Sequence, residues 1–298
     1  MRCRTALPAK SYRVAIRSLL CLLLCGVLHA QGEFLPADRT VPAPYAGKYE
    51  ARIGGSRELN GGKLRLDIGA SADLYRIPIG EPASGGALSF GADFFTWTRL
   101  RSTASFKFPV EAVDYYFGLN GSARFRTSAL GDMFARLRVA HISAHLVDGD
   151  PSFTDPDQRY FTFSREFADL MAGIERRPLD GAAPGAGGYL TYRAYLGLLA
   201  LTHTIPDTLG HFTPYIGADL VAAPSGSSPV ALRLGYELRL NTELSTLAEH
   251  LLRVGLKLGS VRGKGVTIEG IYYSGRSPYG QHFSEENNGF SLGFAVDY

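Results

Sequence analysis

The sequence predicts an all-β chain: an antiparallel up-and-down transmembrane β-barrel of about 12 strands that follows a cleaved signal peptide. Three observations carry this. Apolar residues recur at every second position through most of the chain, as in residues 63–75, where Leu64, Leu66, Ile68, Ala70, Ala72 and Leu74 alternate with Arg65, Asp67, Ser71 and Asp73. The polar set contains charges of both signs beside glycine. That suits a wet lumen crossed by ion pairs, with the apolar set turned to lipid. The chain also begins as exported proteins do. Arg2, Arg4, Lys10, Arg13 and Arg17 precede the apolar run SLLCLLLCGVL at 18–28, and Ala30 offers a cleavage point. That run is too short to span a bilayer, and no later run approaches the roughly 20 apolar residues of a membrane helix.

Residues 1–30 are read as the signal and 31–44, with Pro36, Pro42 and Pro44, as a periplasmic lead-in; the barrel is placed over 45–298. Strands are expected at 45–55, 63–75, 87–98, 112–126, 133–147, 160–175, 188–201, 211–222, 229–241, 250–261, 265–274 and 289–298. The segments around 45–62 and 243–266 define their strands least sharply, and ten strands remain the alternative. The last strand, FSLGFAVDY, sets Phe290, Leu292, Phe294, Val296 and the terminal Tyr298 on one face. This pattern resembles the C-terminal signal of bacterial outer-membrane barrels and implies the barrel assembly machinery as a partner. An even strand count places both termini in the periplasm. Short links such as 128–132 and 224–229 then fall inside, and longer ones such as 148–158 and 276–288 fall outside.

All three cysteines, Cys3, Cys21 and Cys25, lie within the first 30 residues, so the rest has no disulfide, thiolate metal site or cysteine nucleophile. The net charge is +3; residues 1–30 hold five basic and no acidic residues, which leaves −2 for the remainder. The basic surplus belongs to the signal and gives no reason to expect nucleic acid.

One stretch breaks the pattern. In RVAHISAHLVDGD, 138–150, Leu137 and Val139 begin an apolar face that continues as His141, Ser143 and His145. The next strand returns with Ala168, Leu170, Ala172 and Ile174 on the lipid face, and upward extension adds Glu166 and Ser164. Pairing Val147 with Tyr160 sets His141 opposite Glu166 and Ser143 opposite Ser164, with β-carbons roughly 4.5–5.5 Å apart. A serine becomes a nucleophile when a histidine takes its proton and a third group fixes the imidazole. Ser143, His141 and Glu166 are therefore the expected catalytic set, aimed at acyl esters of phospholipid or lipopolysaccharide, with Ser164 and His145 beside them. Polar groups on a lipid face cost on the order of 1–3 kcal/mol each, and such positions tend to serve function. The competing expectation is a β-bulge near Ala140 that turns the three residues into the lumen, or their placement in the headgroup zone. The barrel is then non-enzymatic: structural, binding or a narrow channel.

The segments FLPADRTVPAPYAGKYE, AHISAHLVDGD, FSREFADLMAG and YYSGRSPYGQHFS together resemble, in that order, the bacterial outer-membrane family known as domain of unknown function 1207. The resemblance implies a fold and a location and supplies no activity. Where that family shows a tandem serine pair, this chain has Ser143 followed by Ala144. Locally, His141 and Ser143 resemble the His-x-Ser pair of outer-membrane phospholipase A, a twelve-stranded barrel with an asparagine as third member, and of lipid A deacylase, where a glutamate serves as Glu166 would here. The phospholipase's glycine after the pair is missing.

No organic cofactor is required, and calcium is left open as an activator. His145 and Asp148 lack a third convergent ligand, so no metal site is expected. Arg276 and Gln281, in the loop with Tyr279 and His282, are candidates for a sugar or phosphate headgroup, against the alternative that this loop plugs the barrel mouth. The expected lumen charges, among them Arg136, Arg138, Arg193 and Arg239 with Asp67, Asp73, Glu237 and Glu269, are mixed in sign and tend to pair and close the bore.

Overall fold

The computed structural model describes residues 32–80, 85–126, 131–150, 163–176 and 188–297. The expected signal at 1–30 and the terminal Tyr298 lie outside them. Twelve antiparallel strands close into a barrel: β2 (Gly54–Glu58), β3 (Lys63–Ile79), β4 (Gly86–Arg101), β5 (Val110–Phe125), β6 (Asp132–Leu146), β7 (Phe163–Arg176), β8 (Tyr189–Ile205), β9 (Phe212–Ala223), β10 (Val230–Asn241), β11 (Leu247–Gly259), β12 (Gly265–Arg276) and β13 (Glu286–Asp297). Each pairs with its sequence neighbours, and β2 bonds both β3 and β13. A two-residue strand, β1 (Glu33–Phe34), adds to β3 at Tyr75 and Arg76. Closure satisfies the backbone without help from solvent, the requirement for a sheet in hydrocarbon.

The alternation sorts the faces. Leu119, Val139, Leu196, Ile268 and Leu292 stand exposed on the outer surface, while Arg136, Arg138, Asp169, Glu237 and Glu269 are buried inside. This is the apolar-out, polar-in pattern of an outer-membrane-type barrel.

The first strand departs from expectation. Residues 45–53 are not wall: the strand begins only at Gly54, and 40–50 run through the lumen, where Val41, Tyr45, Ala46, Lys48, Tyr49 and Glu50 are buried. The lead-in expected to end at Pro44 outside the barrel therefore enters it. Tyr45, Gly47, Tyr49 and Ala51 alternate with Ala46, Lys48, Glu50 and Arg52 as a strand would, but here the chain turns at 45–46 and 48–49 and meets the wall on both sides. Wall side chains take the place of a partner strand. Asp73 accepts from the Thr40 amide at 2.7 Å, and Arg124 donates to the Thr40 carbonyl at 2.7 Å. Arg193 reaches the carbonyls of Pro42 and Ala43 at 2.6 and 2.9 Å, and Arg138 that of Tyr49 at 2.7 Å. Ion pairs fix the segment further: Glu50 to Arg136 at 2.5 Å and Lys48 to Glu249 at 2.7 Å. The wall charges pair among themselves as well, Arg138 with Asp169, Arg193 with Asp219 and Arg253 with Glu269, each at 2.5 Å.

Connection length does not separate the two ends as cleanly as expected. The 147–162 and 277–285 connections do share one end, opposite the short 224–229 link. However, β7 and β8 are joined by residues 177–188 at the latter end, and the connections at 206–211 and 242–246 are short although they belong to the former.

Glu50 is the only carboxylate within ion-pair distance of Arg136 and also lies 3.4 Å from Arg138, among the described residues. Glu50→Gln keeps its shape and leaves these buried guanidiniums short of one negative charge. The expected loss is about 3–5 kcal/mol, read as a lower urea midpoint of the refolded barrel. Glu33→Gln, which loosens only the exposed pair with Arg76 at 3.3 Å, is expected to cost about 0–1 kcal/mol.

Candidate active site

β6 keeps its register with both neighbours. His141 faces Phe117 on one side and Glu166 on the other, and Ser143 faces Tyr115 and Ser164. No irregularity interrupts the ladders at Ala140, so the inward-turning bulge is absent. Ala140, Ile142 and Ala144 are buried on the lumen side, and His141, Ser143 and His145 lie on the outer face with Val139.

The pattern inverts because the lumen changes character along the strand. Below Ala140 the inner positions are Arg138 and Arg136, tied to carboxylates. Above, the inner wall meets an aromatic layer in which Phe95 stacks on Tyr116 at 4.3 Å and Phe167 meets Tyr116 edge-on at 5.8 Å. Apolar side chains are wanted inside there, and the histidines and serine are left outside.

Glu166 is half exposed on β7, with Oε1 at 3.7 Å from Nδ1 of His141. That contact leaves Nε2 of the ring free for a further partner. Ser143, two residues along on the same face, has its Cα about 6.5–7 Å from that of His141. Among the described residues no hydrogen bond joins the two side chains; in unliganded sites such bonds are commonly long and tighten with substrate. Ser164 is 8% exposed, opposite Ser143. His145 is exposed, its ring edge-on to Tyr115 at 5.7 Å. Asp148 is exposed in the turn that follows β6, and no group of three metal-ligating side chains occurs among the described residues.

A second histidine joins the set. The β7–β8 register slips between Glu166 and Phe167: Glu166 pairs with His203, but Phe167 pairs with Leu201. Thr202 is the extra residue, and its hydroxyl donates to the Glu166 carbonyl at 2.9 Å. The bulge turns His203 outward, and its Nδ1 lies 3.7 Å from Oε2 of Glu166. One carboxylate thus sits between two imidazoles. Strict alternation puts His203 in the lumen with Leu199 and Leu201. The trace in the sequence is a phase break: Leu196 and Leu198 face out at even positions, Ile205 at an odd one.

Arg276 and Gln281 do other work. The 277–285 loop folds into the mouth of the barrel. Trp97 Nε1 donates to the Pro278 carbonyl at 3.0 Å, the Gly280 amide to Asp114 at 2.8 Å, and Gln281 Nε2 to the Ala144 carbonyl at 2.8 Å. A Cβ at Gly280 would stand 2.3 Å from the Phe163 ring, so only glycine allows this approach. Arg276 donates to Ser245 Oγ at 2.8 Å and to the Ser284 carbonyl at 3.2 Å. Both residues fasten the loop. Partial burial raises the pKa of the Glu285 carboxyl, but His282 at 2.9 Å and Arg99 at 3.2 Å outweigh it and hold the group below the usual carboxylate range.

No family model and no curated protein matches the chain. Among solved structures it is similar to the translocator domain of autotransporter NalP from Neisseria meningitidis, with 13% identity, a TM-score of 0.33, and coverage of 97% of this chain and 98% of that one. At that score the likeness adds nothing to what the strand register already defines.

The bulge makes a prediction of its own. With the native cysteines confined to residues 1–30, a single cysteine at His203, labelled with a fluorophore in the refolded barrel, is expected to be quenched by brominated lipid as strongly as one at Val139. A label at Leu201 is expected to be spared. The reverse order would mean that β8 keeps strict alternation.

Proposed function

We propose that the chain is an outer-membrane lipid acyl-ester hydrolase, with Ser143 as nucleophile, His141 as general base and Glu166 as the group that orients the imidazole. The observation that carries this reading is the outward-facing pairing of His141 with Glu166 beside Ser143. The filled lumen supports it from the other side, since a bore crossed by the 40–50 segment is poorly suited to conduct.

The chemistry follows from the placement. An acyl chain lies against Val139, Leu137 and Leu170, which stand exposed on the outer surface below the site. The Ser143 hydroxyl attacks the ester carbonyl, and Nε2 of His141 takes its proton. The carbon–oxygen bond to the leaving alcohol breaks, and the imidazolium returns the proton to that oxygen. Water from the headgroup layer then attacks the acyl-serine, giving its proton to His141; Ser143 recovers a proton as the fatty acid leaves. Glu166 steadies the charged ring from Nδ1. The hydroxyl of Ser164, directly across the ladder from Ser143, is assigned as a donor to the developing oxyanion.

A non-enzymatic closed barrel is the second reading, favoured by the missing hydrogen bond between Ser143 and His141. The resemblance to the domain of unknown function 1207 family fits either one.

The deciding assay is acyl release from phospholipid and from lipopolysaccharide by the refolded protein, with and without calcium. The parent is expected to release fatty acid, and Ser143→Ala to lose about a thousandfold or more. Glu166→Gln is expected to retain more activity than His141→Ala. No release by a folded parent from either lipid would overturn the hydrolase reading.

A further inference from the structure

A second feature, independent of the hydrolase reading, lies in the upper lumen. A cavity of about 300 Å³ is lined by residues of β2, β3, β11, β12 and β13 together with Lys48, Pro278 and Tyr279. It exists because the wall is bare there. On β13 the apolar Phe290, Leu292 and Phe294 face out, so the inward positions are Asn287, Gly289, Ser291 and Gly293; on β2 the inward residue is Ser56. Elsewhere the inner wall carries arginines, carboxylates and aromatic rings. On β2 and β13 it carries little side-chain volume.

The chemistry of the lining narrows the occupant. Three of its cations are already matched: Lys48 by Glu249 at 2.7 Å, Arg65 by Asp67 at 2.7 Å and Arg253 by Glu269 at 2.5 Å. Lys63 and Glu58 line the cavity and make no ion pair among the described residues. They offer one positive and one negative group, and Glu286, also in the lining, lies 3.6 Å from Arg276, so neither an anion nor a cation is favoured by net charge. The remaining polar groups are an amide and hydroxyls, from Asn287, Ser56 and Ser291, able to donate and accept alike. Tyr273 and Tyr279 add aromatic surface. Exposed Asn60 and Asn288 mark a rim at the end that bears the 277–285 loop.

We propose that this cavity binds a neutral saccharide of one or two rings presented at that end of the barrel. The volume stands at the lower limit of small-molecule sites, which begin at about 300 Å³. Hydroxyls match the mixed donors and acceptors, and the flat apolar face of a sugar ring matches the tyrosines.

The single tryptophan, Trp97, bonds the carbonyl of Pro278, a lining residue, and its fluorescence serves as one readout of occupancy. The refolded full barrel, in a zwitterionic detergent without a sugar headgroup, is titrated with glucose, N-acetylglucosamine and maltose. Inorganic phosphate and choline serve as charged comparisons, and calorimetry is run in parallel. Saturable binding of at least one neutral sugar with a Kd under about 1 mM is expected. Ser291→Phe, which fills the cavity, is expected to weaken it at least about tenfold. Should that variant not fold, as judged by circular dichroism and heat-modifiable mobility, Lys63→Met carries the same expectation. No saturation by any neutral sugar up to about 10 mM would overturn the proposal. So would binding untouched by the folded variants, or saturation by phosphate or choline alone.

Discussion

Every backbone amide and carbonyl in the membrane zone must find its partner within the protein, and this chain meets that demand in two ways. The wall closes through β2, a strand of five residues that bonds β3 and β13. The segment that passes through the lumen has no strand beside it, so Asp73, Arg124, Arg193 and Arg138 bond its backbone instead. Charged side chains thereby act as a substitute sheet. The lumen is filled as a consequence, and the places left for chemistry are the outer face and the mouth.

The polar patch on β6 follows from the same arrangement. The loop at 277–285 and the aromatic rings beneath it make the upper lumen beside β6 apolar, and alternation then sends His141, Ser143 and His145 outward. On β7 and β8 one bulge completes the set. It moves His203 to the outer face, where Glu166 is held between two rings. The cavity has a related origin. Aromatic residues on the outer face of β13 leave its inner face to glycine, serine and asparagine.

Much of this was legible. The register that joins His141 to Glu166 and Ser143 to Ser164 follows from turning one hairpin at Val147 and Tyr160; the ladder has both of the joined pairs, while Tyr160 lies outside the described residues. The mixed signs of the lumen residues foretold their ion pairs. Residues 45–53 were misread because their side chains alternate like those of a wall strand, although the chain turns at 45–46 and 48–49 inside the lumen. Whether such a stretch joins the wall or enters the lumen depends on what surrounds it. His203 escaped because no residue type demands a bulge at Thr202, and a slip of one position reverses every face beyond it.

Alternation alone therefore sets the face of each residue between irregularities, since successive Cβ atoms point to opposite sides of a sheet. It says nothing about what lies beyond either face. That Ala140 meets aromatic rings rather than water, that Gln281 fastens a loop, and that Gly289 and Ser291 border an open volume were decided by segments far apart in the chain. Packing across a barrel brings residue 50 to residue 136 and residue 280 to residue 114, and no local pattern encodes distances of that length.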